Sequence, residues 1–132
     1  MGDQYNWDRN VQPAVRRILD ANLDRAREGL RIIEEWCRFG LNSLNLANES
    51  KKLRQEIGSW HGTELRMSRN TPDDPGTELT HPQEEHRRDV QQLLQVNFCR
   101  LEEALRVLEE YGKIYNSQMA SACKQIRYRV YN

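Results

Sequence analysis

The chain has 132 residues and a mass of 15.7 kDa, is 37% hydrophobic and 30% charged, and balances twenty basic residues against twenty acidic ones. This length allows one domain around one core and excludes a TIM barrel or a two-domain enzyme, while the zero net charge gives no overall field for nucleic acid or an anionic membrane. Cys37, Cys99 and Cys123 are odd in number and form no C-x-x-C pair, which argues against a disulfide framework or zinc ribbon and for a reducing, cytoplasmic setting.

Residues 1–10 lack an apolar signal core, and no run of about 18 apolar residues could span a bilayer, so a soluble, non-exported protein is expected. Residues 1–12 read as an N-terminal arm and residues 13–132 as a single helical domain. Pro13 suits a first helical turn, and from Ala14 onward Ile18, Leu19, Leu23, Ala26, Leu30, Ile33, Cys37 and Leu41 recur at three- and four-residue steps. This long helix weakens at Gly40 and Asn42. A second helix is expected over about 48–60, with Leu53, Ile57 and Trp60 on one face, which completes a first repeat over about 13–60. Residues 61–82 hold Gly62, Pro72, Asp73, Asp74, Pro75, Gly76 and Pro82, a density of breakers that predicts a long connecting loop.

A third helix is predicted from about 83 to 115, with Leu94, Phe98, Leu101, Leu105 and Leu108 on the positions of Leu19, Leu23, Ala26, Leu30 and Ile33. A fourth runs from about 117 to 130. Neither hairpin can bury its stripe alone, so the two repeats, about 13–60 and 83–132, predict an all-α antiparallel four-helix bundle with approximate two-fold symmetry.

The repeat is most explicit in N-x-x-R-x-x-E-x-L-R-x-x-E-E, which runs from Asn22 to Glu35 and again from Asn97 to Glu110, 75 residues on. Packing alone does not fix which polar residue stands where. At about 100° per residue, Asn22 and Arg25 fall on the border of the apolar stripe, with Glu28 one step nearer solvent. Gly29, Ala104 in the second copy, leaves space beside Asn22 for a small polar pocket. Arg31, Glu34, Glu35, Arg106, Glu109 and Glu110 read as charge ladders on a solvated face. For Asn22, Arg25, Asn97 and Arg100 two readings stand open. One is a pair of register-fixing amides with flanking ion pairs to Glu28 and Glu103; the other is a ligand-facing constellation.

The loop sequence Arg69-Asn70-Thr71-Pro72-Asp73-Asp74-Pro75-Gly76-Thr77 is a second candidate. Arg69, Thr71, Thr77 and the amides beside Gly76 suit phosphate, and Asp73 and Asp74 suit Mg²⁺, although a polar turn has the same composition. No P-loop, G-x-G-x-x-G or G-x-S-x-G motif is present, and the single Glu-x-x-His, Glu78 to His81, is unpaired, which disfavours a di-metal bundle. His61, His81 and His86 read as surface residues.

ILDANLDRAREGLRIIEEWCRFGL (18–41), RNTPDDPGT (69–77), VNFCRLEEALRVLEEYGK (96–113) and IRYRVYN (126–132) together resemble the small helical domain found ahead of thiamin phosphate synthase in cyanobacteria and other bacteria, and that family's stand-alone members. The resemblance implies a monofunctional hydroxymethylpyrimidine phosphate kinase, unrelated to the ribokinase-like enzyme, which uses ATP and Mg²⁺. It also makes thiamin phosphate synthase a candidate partner, and without the synthase barrel these 132 residues are not expected to couple pyrimidine to thiazole themselves. The family loop reads closer to R-D-T-x-x-D-V-G-T, so Asn70 removes a carboxylate and Pro75 replaces an apolar residue.

Transfer between two phosphates needs cationic donors and a metal but no general base, because the accepting phosphomonoester is already largely ionised near neutral pH. Under that reading Arg25, Arg100 and Arg69 are phosphate clamps. Glu28, Glu103, Asp73 and Asp74 are metal ligands, and Asn22 and Asn97 read the aminopyrimidine, as Asn reads adenine. A competing reading is a non-catalytic module that forms a homodimer or regulates a synthase. A third, a chorismate-mutase-like isomerase, has only fold-level analogy behind it.

Overall fold

The computed structural model describes residues 7–69 and 86–131, with side chains described over 11–69 and 86–130. Among the described residues the secondary structure is entirely helical: α1 Trp7–Glu35 runs into a π-helical turn, Trp36–Gly40, and α2 Leu44–Gly58, α3 Thr63–Met67, α4 Val90–Tyr115 and α5 Ser117–Tyr131 follow. No helix is long and apolar enough to cross a membrane.

Most of the stripe read from the sequence is the buried face of α1 and the turn after it: Leu19, Leu23, Ala26, Leu30, Ile33 and Cys37 are buried and Val15 joins them, while Ile18 is half-buried and Leu41, past the π-helical turn, is 54% exposed. Pro13 lies inside the helix rather than at its first turn. The break at Gly40 and Asn42 has a geometric cause. A Cβ on Gly40 would fall 2.4 Å from the Trp36 ring, and Asn42 takes the left-handed conformation at φ 53°, which Asn tolerates better than most residues. The Ser43 hydroxyl then accepts from Leu46 N at 3.2 Å and starts α2. The second helix therefore begins four residues earlier than the sequence reading placed it.

Two further boundaries differ. The segment read as pure loop begins with α3, seated by buried Leu65, with Gly62 at its N-cap. The third long helix starts at Val90 and not near 83, because the Asp89 carboxylate accepts from Gln92 N at 2.8 Å and fixes the first turn there. Asn116 ends α4 in extended backbone, while its side chain accepts from Gln118 N and Met119 N to begin α5.

α1 and α4 pack directly on each other, α2 packs on α1, and α5 packs on α4. Arg27 lies near Gly58 and Arg54 binds Glu34 at 3.1 Å, so α2 runs antiparallel to α1. In the same way Gly112 faces Ala120 and Arg127 binds Glu109 at 3.0 Å, which sets α5 antiparallel to α4. Gly29 faces Asn97 and Leu101, while Glu64 lies between Arg16 and Tyr115; α1 and α4 thus run in opposite directions. An ion pair between Arg129 and Glu56 ties α5 to α2.

Glu34 and Glu109 depart from the solvated-face expectation. Glu109 is 4% exposed, and both carboxylates turn inward to an Arg of the neighbouring helix. Burial pushes the Glu109 carboxyl up, but the Arg127 hydrogen bond and the charges of Arg127 and Arg106 outweigh it and leave the group below its ordinary value. Arg31–Glu35 and Arg106–Glu110 do form surface ladders, at 3.1 and 3.3 Å. The stripe of α4 is also less complete than that of α1, since Phe98 is 37% exposed where its counterpart Leu23 is fully buried.

Candidate functional site

Two antiparallel copies of one polar pattern, laid side by side, face each other across their shared groove. A cleft of about 450 Å³ between α1 and α4 is lined by Asn22, Arg25, Glu28, Gly29 and Ile32 from the first copy and by Asn97, Arg100, Glu103, Ala104 and Val107 from the second. All six repeated polar residues singled out by the sequence at this border are therefore brought together. Asn22 and Asn97 are buried, each 5% exposed, and form the floor; Arg25, Glu28, Arg100 and Glu103 are exposed at the rim.

Each amide is fixed in the same way. Asn22 Nδ2 donates to Ile18 O and Asn97 Nδ2 to Leu93 O, both at 2.8 Å, one turn back along their own helices. These bonds hold each amide plane and leave a second N–H on each. Among the described residues neither carbamoyl oxygen has a partner, nor do the side chains of Arg25, Arg100, Glu28 and Glu103 form an ion pair or hydrogen bond. The flanking Arg–Glu pairs of the register-only reading are thus not formed. Gly29 opens its space across the groove, against the Asn97 carbonyl and Leu101, in the cleft that Asn22 also lines.

A second hollow of about 570 Å³ shares Asn22, Arg25 and Glu28 with the first and adds Ala14, Arg17, Asp20, Ala21, Asp24 and Arg69. Arg69 is held by carboxylates: Nε donates to Asp20 Oδ2 at 3.0 Å, and Nη2 to Asp20 Oδ1 at 3.0 Å and Asp24 Oδ2 at 2.7 Å. The Asp20 hydrogen bond and the Asp24 and Asp20 charges raise the Arg69 pKa further. Beneath it, His61 Nε2 lies 2.6 Å from Asp20 Oδ1. Burial pushes Asp20 up, but the hydrogen bonds from Arg69 and His61 bring it below its ordinary value. An ionised carboxylate only accepts, so Nε2 carries the proton. His61 Nδ1 is buried without a hydrogen-bond partner among the described residues, 3.7 Å from Asp24 Oδ1.

His61 is thus an interior residue with a side chain that is 0% exposed, against the surface position expected for it; His86 is exposed as expected. Sequence reasoning also missed Asp20, Asp24 and Arg17. Their spacing on one face of α1 was a usable signal, but Arg69 and His61 lie 49 and 41 residues from Asp20 and only the fold joins them. Thr71, Asp73, Asp74, Gly76 and Thr77, together with Asn70 and Pro75, lie outside the described residues. Among the described residues no three His, Cys, Asp or Glu side chains gather closely enough to hold a metal by themselves.

A thiamine-phosphate synthase of Nostoc punctiforme is 66% identical over 131 residues, covering 99% of this chain and 37% of its own length. That of another Nostoc strain is 66% identical over 132 residues, and that of a Synechocystis strain 63% over 118. The chain spans little more than a third of the length of these curated relatives, 34 to 38%. No solved structure matches it. The model of the ThiD2 family matches residues 17–132, which takes in every described element from the body of α1 to α5, and the chain belongs to that family.

Proposed function

We propose that this domain acts in thiamin biosynthesis as an ATP-dependent kinase that converts hydroxymethylpyrimidine phosphate to the diphosphate. The observation that carries the reading is the convergence of both Asn-Arg-Glu sets on one cleft, where among the described residues the two carbamoyl oxygens and the Arg and Glu side chains have no hydrogen-bond or ion-pair partner. Family membership and the similarity of this chain to part of thiamine-phosphate synthases support the pathway. The finer architecture that goes with it is a two-fold pseudosymmetric four-helix bundle, supported by the matched Asn22/Asn97 bonds and the matched Glu34–Arg54 and Glu109–Arg127 pairs.

In this reading the free carbamoyl oxygen of Asn22 or Asn97 accepts from the exocyclic amine of the pyrimidine, between the apolar walls of Ile32 and Val107. Arg25 and Arg100 hold phosphate oxygens, the task to which a planar guanidinium is suited. A phosphate oxygen of the pyrimidine ester attacks the γ-phosphorus. The bond from that phosphorus to the β-bridging oxygen breaks, and ADP leaves with the electron pair. The donor set fits Mg²⁺, which binds through one or two carboxylates plus substrate phosphates and water; Glu28 and Glu103 would hold it, with Asp73 and Asp74 as further ligands. The metal would neutralise charge on the transferring group.

A second reading, a non-catalytic module that pairs with itself or with a synthase, is favoured by the apolar residues left in water at the π-turn end, where Phe39 is 66% and Leu44 75% exposed. ADP formation decides between the two. The kinase reading expects turnover with hydroxymethylpyrimidine phosphate and none with the unphosphorylated alcohol, and a loss of at least a hundredfold in Arg25→Ala and Arg100→Ala. No turnover by a folded sample, or full activity in both variants, overturns it.

A further inference from the structure

The two hollows on α1 are contiguous, share Asn22, Arg25 and Glu28, and are each of a size that takes a small ligand, about 570 and 450 Å³. A phosphoryl transfer needs its two reactants side by side, with the reacting atoms about 3–3.5 Å apart. A single symmetric cleft does not supply that. Its Asn, Arg and Glu sets are equivalent, so it offers a ligand the same contacts in either direction.

The second hollow breaks this symmetry. Seventy-five residues on from Arg17, Asp20 and Asp24 stand Gln92, Gln95 and Cys99, none of them charged, so the second repeat has no equivalent of this charged wall. We propose, building on the kinase reading above, that the Arg17–Arg69 hollow is the subsite for the nucleoside triphosphate, that the symmetric cleft takes the pyrimidine phosphate, and that Arg25 serves both.

The charge pattern suits that class of ligand. Arg17, Arg25 and Arg69 face Asp20, Asp24 and Glu28 in equal number, a wall of mixed sign that fits a polyphosphate carrying a divalent cation better than a bare anion. Arg69 is placed to take part. Its side chain is 45% exposed, its Nη1 has no hydrogen bond among the described residues, and Asp20 keeps its bond from His61 when Arg69 turns to phosphate. Arg25 then spans the two hollows at the point where the transferred group passes. The bond formed joins the pyrimidine phosphate oxygen to the γ-phosphorus and the bond broken frees the nucleoside diphosphate, so each product remains in the hollow that held its substrate.

Calorimetric titration separates the hollows. Magnesium adenylyl imidodiphosphate and hydroxymethylpyrimidine phosphate are titrated separately into the wild type, Ala21→Trp, Arg17→Ala and Val107→Trp, with far-UV dichroism checking the fold of each. Ala21→Trp fills the proposed nucleotide hollow and Val107→Trp the pyrimidine cleft; Arg17→Ala removes an exposed side chain and keeps the test open if the Trp variant fails to fold. Ala21→Trp and Arg17→Ala should each weaken the nucleotide analogue at least tenfold and leave the pyrimidine phosphate within twofold, and Val107→Trp should do the reverse. The opposite pattern, or equal loss of both ligands in every variant, overturns the two-subsite assignment while leaving the kinase reading in place. A folded wild type that binds neither ligand removes both.

Discussion

At Gly29 one missing side chain controls both packing and the cleft. A Cβ added there would meet the Asn97 carbonyl at 3.4 Å and Leu101 Cβ at 3.5 Å, which is ordinary contact, and the second repeat already carries Ala104 at this position. Replacing a helical Gly by Ala gains about 0.5–1 kcal/mol when nothing clashes. Gly29→Ala is therefore expected to raise the melting temperature by about 2–5 °C and to leave ligand affinity intact. Gly29→Leu places a branched side chain in the cleft that Asn22 and Asn97 line and should cost at least tenfold in affinity for hydroxymethylpyrimidine phosphate at unchanged helix content. A lower melting temperature for the Ala variant would mean that the helices approach more closely than these distances indicate.

At the scale of the elements, boundaries are set by single caps. Asp89 accepts from Gln92 N at 2.8 Å, and loss of such a cap costs about 1 kcal/mol. Asp89→Ala should lower stability by about that amount in urea and speed amide exchange over the first turn of α4, with exchange along α1 unchanged; uniform acceleration would instead indicate a global effect. The same caps explain what the sequence could and could not disclose. The stripes of α1 and α4 were legible because periodicity depends on side-chain type alone. The start of α4 was not, since residues 83–89, QEEHRRD, suit a helix as well as a loop and only the cap geometry selects Val90. The start of α2 was missed because Leu44 and Leu46 are exposed in the fold, so they carry no core signal. In the candidate site the repeated Asn, Arg and Glu were visible as a pattern. The Asp20–His61–Arg69 cluster was not, because its members are joined by tertiary structure and neither repeats nor follows a fixed spacing.

For the molecule as a whole, two interior carboxylates link folding to acid. Asp20 is faced by His61 of the α2–α3 connection and by Arg69 beyond α3. Glu109 is faced by Arg106 on its own helix and Arg127 on α5. Both end below their ordinary values of 3.8 and 4.5 in the folded chain. A carboxyl depressed by folding stabilises fully above its unfolded value and loses that contribution as the pH falls through its folded value. From these two groups, stability should stay level between pH 7 and about 5 and decline from there downward. Breaking a buried pair on one side costs about 3–5 kcal/mol, and the half-exposed Arg106 places Glu109→Gln nearer about 2 kcal/mol at pH 7. Urea unfolding at steps from pH 7 to 3 reads both effects. The Glu109→Gln curve should begin lower, fall less between pH 5 and pH 3, and approach the wild type at the acid end. Curves that run parallel over the whole range would place the acid sensitivity outside the Glu109–Arg127 contact, with Asp20→Asn the next variant to compare.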